Sequence, residues 1–188
     1  DGFSGMNKAY APVPAMDAGS FDSDESTLAV DRMIIKTGSL SMVVDDVRKS
    51  VDEIVKYAEG KKGFLVNSDI NKYNLDLQGS ITIRVPSADL EATIAFIKGM
   101  GEVQSEHIDG RDITEEYIDL EAKLGNLKAT EQQFLEIMKK ASKIEDVLAV
   151  QRELSSVRSQ IESMEGRMKY LKESTDLSSL TVYLSTNP

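Results

Sequence analysis

The stretch RDITEEYIDLEAKLGNL, residues 111–127, sets Asp112, Glu115, Glu116, Asp119 and Glu121 among regularly spaced apolar residues. Carboxylates crowded this closely can perform general acid–base chemistry or cage a cation. They can also be the capped, solvated start of a helix. Asp112 and Glu115 have the spacing of a capping box, and acids in a first turn favour the positive end of the helix dipole. Glu116, Asp119 and Glu121 fall off the apolar line through Tyr117, Leu120 and Leu124, as a solvated face does. The spacing therefore predicts a helix start ahead of a binding role.

Other chemistry-bearing residues are sparse. His107 is the single histidine, so a Ser-His-Asp triad has one possible base, and the chain has no Gly-x-Ser-x-Gly elbow. A surface or edge histidine is expected. Gly99 and Gly101 lack a third glycine at dinucleotide-binding spacing and read as a helix terminator. Asp45 with Asp46, or Asp109 with Asp112, could hold calcium only with carbonyl help, because the alternating oxygen pattern of a calcium loop is missing. There is no cysteine, which excludes disulfides and thiolate chemistry within these residues. The expectation is no catalytic residue, no cofactor and no metal.

Composition narrows the partners. The chain has 188 residues and a net charge of -10, which argues against nucleic acid and against electrostatic adhesion to anionic lipid. An apolar share of 40% supports a core, and an aromatic share of 6% without Trp makes it aliphatic. No apolar run approaches the roughly 20 residues of a spanning helix.

The elements follow from period. Residues 1–32 are rich in Gly, Ser, Ala, Pro and Asp, and read as a flexible tether whose AYAPVPAM is the piece best able to dock. Residues 33–110 read β-α-β-β-α-β. Leu40, Met42 and Val44 alternate in the first strand, where Gly38 marks a possible bulge. Val47, Val51, Ile54, Val55 and Ala58 stripe the first helix, with Asp45 or Asp46 as its cap. Ile81, Ile83 and Val85 alternate in the third strand, and Ser87 caps the second helix. This order predicts a ferredoxin-like antiparallel sheet with two helices on one face. Its other face would be polar, with Ser39, Ser41, Ser80, Thr82, Arg84, Thr181 and Tyr183.

Over 111–175 the period changes to heptads. Tyr117, Leu120, Leu124, Leu127, Glu131, Phe134 and Met138 form one seam, with Glu131 its only polar member. Val147, Val150, Leu154, Val157, Ile161, Met164, Met168 and Leu171 form the other. The prediction is a coiled-coil antiparallel hairpin, its second helix started by a Ser142–Glu145 capping box. Leu154 should lie in the seam, opposite Leu127. Gly166, costly inside a helix, should mark close approach near Tyr117 at the hairpin base. Residues 176–188 contain a fifth strand that returns to the sheet. The fold class is thus α+β.

The stretch DITEEYIDLEAKLGNL, then VLAVQRELSSVRSQIESMEGRMKYL and STDLSSLTVYLS, resembles the bacterial extracytoplasmic family DUF4349, from about Met33 to Ser185. The early IIKTGSLSMVVDDV and GSITIRVPSADLEATIAFI look similar too. The resemblance implies an export or lipoprotein signal before the tether and, in many members, a spanning helix after the last strand. It carries no catalytic residues. The expected function is a non-enzymatic, membrane-tethered interaction or sensing module in the cell envelope, presenting its hairpin to a protein partner or a second copy. The alternative is a carboxylate-dependent envelope hydrolase. The partner surface is expected at Lys139, Lys140 and Lys143, a basic tip on an acidic chain.

Overall fold

The computed structural model describes residues 31–73 and 76–186; the expected tether lies outside these residues except for its last two positions. The elements run β1 (Ile34–Val43), α1 (Val47–Gly60), β2 (Phe64–Tyr73), β3 (Asp76–Pro86), α2 (Leu90–Lys98), β4 (Glu102–Asp112), α3 (Thr114–Lys140), α4 (Ile144–Asp176) and β5 (Leu177–Ser185). Residues from Asp31 onward form one compact unit. Among the described residues the fold is α+β, with one five-stranded mixed sheet and four α-helices.

Alternation decides the buried face. Leu40 and Met42 of β1, Ile81, Ile83 and Val85 of β3, and Leu180, Val182 and Leu184 of β5 are buried. They pack against Val47, Val51, Ile54 and Ala58 of α1 and Leu90, Ile94 and Ile97 of α2 in one aliphatic core. Tyr57 and Phe96 stack with ring centroids 4.1 Å apart, which ties the two helices together outside that core. Asp46 caps α1, accepting hydrogen bonds from the backbone of Arg48 (2.9 Å) and Lys49 (3.1 Å). It is thereby committed to a structural role.

The strand order is β2-β3-β5-β1-β4, which is not ferredoxin-like. A split βαβ layer places the third strand beside the first. Here β5 separates them, parallel to β1 and antiparallel to β3. The direction follows from the hairpin. The cross-arm ion pairs Glu131–Arg158 (2.7 Å) and Glu116–Arg167 (2.6 Å) make α3 and α4 antiparallel neighbours. The chain therefore returns to the end of the sheet it left, and the next strand must run opposite to β4. Since β4 is antiparallel to β1, β5 is parallel to β1.

Composition accounts for the lateral position. Ser178, Leu180, Val182 and Leu184 of β5 are all buried, whereas every residue of β4 is exposed. A strand buried at each inward position gains most between two neighbours. β4, with Glu106 and Asp109, tolerates an edge, and its Glu106 pairs with Lys98 of α2.

Several local expectations are corrected. Gly38 marks no bulge; the register shifts lie between Ser41 and Met42 in the β1–β4 pair and between Leu65 and Asn67 in β2. Ser87 does not cap α2. It begins a one-turn 3-10 segment, donates to the Thr175 carbonyl at 2.5 Å and accepts from Ser178, so it fastens the end of α4 to the sheet. The cap residue of α4 is Lys143, and no side chain caps that helix, so the Ser142–Glu145 box does not form. A Cβ added at Gly166 meets no atom within 4 Å, so close approach does not explain that glycine.

Candidate functional site

Two of the carboxylates of 111–127, Asp112 and Glu116, serve the junction between sheet and hairpin, while Asp119 pairs with Lys123 along α3. Asp112 accepts from Thr114 through both its hydroxyl (2.6 Å) and its backbone N–H (3.0 Å). The Thr114 hydroxyl in turn accepts from the backbone of Met33 at 3.0 Å. The expected Asp112–Glu115 box is replaced by this turn onto Thr114, because α3 begins at Thr114. Thr114's hydrogen bonds, aided by Arg32, hold the Asp112 carboxyl below its ordinary value.

Glu116 is not part of a freely solvated face. It receives Arg167 of α4 at 2.6 Å and Arg111 of β4 at 2.8 Å. The Arg167 hydrogen bond, with the charges of both arginines, lowers its pKa. A general acid at neutral pH needs the opposite shift. These two perturbed carboxylates are fasteners. Among the described residues, no group of acids, histidines or cysteines is arranged to hold a metal. His107 is exposed on the edge strand β4, as expected of a surface histidine.

At the far end of the hairpin, Lys139 and Lys140 close α3 and Lys143 precedes α4, all exposed. Lys139 bonds Glu136 at 2.9 Å. The span 136–146 holds those three lysines and three acids, Glu136, Glu145 and Asp146. The tip is therefore a mixed surface rather than a basic one. It also carries apolar side chains that sequence reasoning had not singled out: Ile137, Ile144 and Leu148 are 50%, 74% and 54% exposed. The seam residues behave differently. Leu154, Val157 and Ile161 of α4 are buried, and Tyr117, Leu120, Leu124 and Leu127 of α3 are half-buried.

The second candidate is the sheet face away from α1 and α2. Register brings one residue from each strand into a row: Asp69, Ser80, Tyr183, Ser41 and Ser105. The adjoining row is Asn67, Thr82, Thr181, Ser39 and His107, in which the hydroxyls of Thr82 and Thr181 share a hydrogen bond at 3.1 Å. Beyond Asp69 lie Asn71 and its partner Gln78. The row through Asp69, Ser80, Tyr183 and Ser41, with Asn71 and Gln78 beyond it, floors a depression of about 450 Å³ at one end of the face. A second depression, about 410 Å³, lies where Tyr170 and Ser174 of α4 meet Thr37, Thr82, Arg84 and Ser179. The polar character of this face was legible in the strand alternation. Asp69, Asn71 and Gln104 were not, because the bulges shift which side their strands present.

Fold and surfaces together describe an α+β domain with a helical hairpin between its fourth and fifth strands. The chain belongs to the domain of unknown function family DUF4349, whose profile matches residues 32–188. No curated protein and no solved structure matches it.

Proposed function

We propose that this domain is a non-enzymatic interaction module whose α3–α4 hairpin, packed as an antiparallel coiled coil, is offered to a second copy of the chain. Segments flanking the domain would hold it at a membrane on the extracytoplasmic side of the cell envelope, in keeping with the resemblance noted above. The carrying observation is a contrast within the hairpin. Its seam is consumed between the arms, while Ile137, Ile144 and Leu148 remain exposed near the turn. Three exposed apolar side chains at the end of a long arm favour association. The charges favour a like partner: about a two-fold axis, Lys139, Lys140 and Lys143 of one tip can meet Glu136, Glu145 and Asp146 of the other.

Sedimentation equilibrium on the whole chain tests this. A concentration-dependent dimer is expected, weakened by Ile144→Asp with Leu148→Asp and by replacing Lys139, Lys140 and Lys143 with Gln. The lysine effect should shrink as salt rises. A chain that stays monomeric up to millimolar concentration removes the second-copy reading. Capture of a different protein from envelope extracts through the same residues would then assign the hairpin to another partner.

A further inference from the structure

We infer that the open face of the sheet is a binding surface for a neutral oligosaccharide, centred on Tyr183. The site is separate from the hairpin tip and does not depend on how the tip is used.

Tyr183 sits on β5, the central strand, yet its side chain is 52% exposed while both chain neighbours, Val182 and Leu184, are buried inward. It stands in the five-strand row between Ser80 and Ser41. An aromatic ring on the middle strand of a sheet, with a wet face, is placed to be covered by something from outside. Around it the depression is lined by Ser41, Ser80, Asp69, Asn71, Gln78 and, from the bulge in β4, Gln104.

The lining selects the ligand by exclusion and by match. It contains no lysine or arginine, so a phosphate or carboxylate would find no counter-charge. Its one acidic side chain, Asp69, already accepts from Asn71 at 2.9 Å, and a lone carboxylate is a poor cage for a free cation. A hydrocarbon ligand would strand the amides and hydroxyls without partners. What fits is a molecule that donates and accepts at many points and carries no charge. Serine hydroxyls do both, the amides of Gln78 and Gln104 offer two donors and an acceptor each, Asn71 offers its carbonyl and the N–H that Asp69 does not take, and Asp69 accepts. A sugar ring presents such hydroxyls around its edge. Its C–H face is apolar and slightly positive, which suits the negative face of the tyrosine ring.

Size favours a chain of sugars over one ring. Strands about 4.8 Å apart give five strands a width near 19 Å, and successive rows are about 6.8 Å apart. The Asn71–Asp69 hydrogen bond orients both side chains before a ligand arrives, so less freedom is lost on binding.

The test is a titration of the isotope-labelled whole chain with cellohexaose, hexa-N-acetylchitohexaose and maltohexaose, followed by backbone and side-chain amide NMR. At least one should produce saturable shifts centred on residues 41, 69, 71, 78, 80 and 183. Tyr183→Ala should weaken that binding by about tenfold or more, and Tyr183→Phe should keep it, since the ring face survives. Because Tyr183 is exposed, both variants should retain the parent spectrum elsewhere. Asn71→Ala provides a second reading that leaves the ring in place, and it should also weaken binding. Absence of saturable shifts with all three sugars overturns the inference. So do shifts confined to the hairpin, or a Tyr183→Ala variant that binds as the parent does.

Discussion

Arg167 on α4 grips Glu116 on α3, 51 positions away, through Nη2 at 2.6 Å and Nε at 3.2 Å from one carboxylate oxygen. Arg111 of β4 holds the other oxygen at 2.8 Å. One carboxylate thus joins the sheet to both arms of the hairpin where they leave it.

This clamp has a pH signature. Its hydrogen bond from Arg167 and the two nearby positive charges keep Glu116 below its ordinary value of 4.5. A lowered folded pKa means the unfolded chain binds the proton more readily. The contribution is therefore full above the unfolded value and is lost as pH falls through the folded one. Glu116→Gln is expected to lower the melting temperature at neutral pH, with the gap to the parent closing as pH falls below the ordinary glutamate value. A gap that stays constant on acidification would show that the clamp contributes through shape alone.

Leu154 is 2% exposed on a helix whose partner arm has no fully buried residue. It anchors the hairpin from the α4 side. Leu154→Asp should cost about 3 kcal/mol or more in urea unfolding, from an unpaired charge placed between the arms. A loss under about half a kcal/mol, the range of ordinary surface changes, would place Leu154 on the surface.

Two glycines should respond with opposite signs. Gly166 lies within α4, and an added Cβ there meets nothing within 4 Å. Gly166→Ala should therefore stabilise by about 1 kcal/mol through helix propensity. Gly101 precedes β4, and a Cβ there would collide with the Val43 carbonyl and come 2.9 Å from Val44 Cγ1. Gly101→Ala should destabilise by about 1–3 kcal/mol, because backbone cannot give way as a flexible side chain can. Thermal melts of the pair decide; equal shifts of the same sign would contradict the packing described.

Removing β5 should be far more damaging than its position near the C-terminus suggests. Leu180, Val182 and Leu184 fill the middle of the core, and β1 and β3 pair only through this strand. A chain ending at Asp176 is expected to lose cooperative unfolding. If it melted as sharply as the parent, β1 and β3 would have to close directly against each other.

The sequence by itself determined what depends on neighbours along the chain. Period two placed Leu40, Met42, Ile81, Ile83 and Leu180 on one face and the serines and threonines on the other. Period three-and-four marked Leu120, Leu124, Leu154 and Ile161 as inward residues of two long helices. A change of period marked where the sheet gave way to the hairpin. The tip was legible as charged, and its balance of lysines and acids can be counted along the chain, but its exposed Ile137, Ile144 and Leu148 were not legible. Whether a heptad-like helix leaves an apolar residue uncovered depends on what stands opposite it.

Tertiary structure alone decided where β5 goes. Alternation tells which face a strand buries and says nothing of its lateral neighbours, since an edge strand and a central strand share the same period. The hairpin set β5's direction by returning the chain to the end it had left. That direction also suited the outer side of β4. The central slot won because β5 buries a side chain at every inward position and so gains from neighbours on both sides, while β4, exposed throughout, loses little at the edge. The same placement put Tyr183 in the middle of the open face. Its surroundings come from strands up to 142 positions away by register, so no local pattern could have shown them.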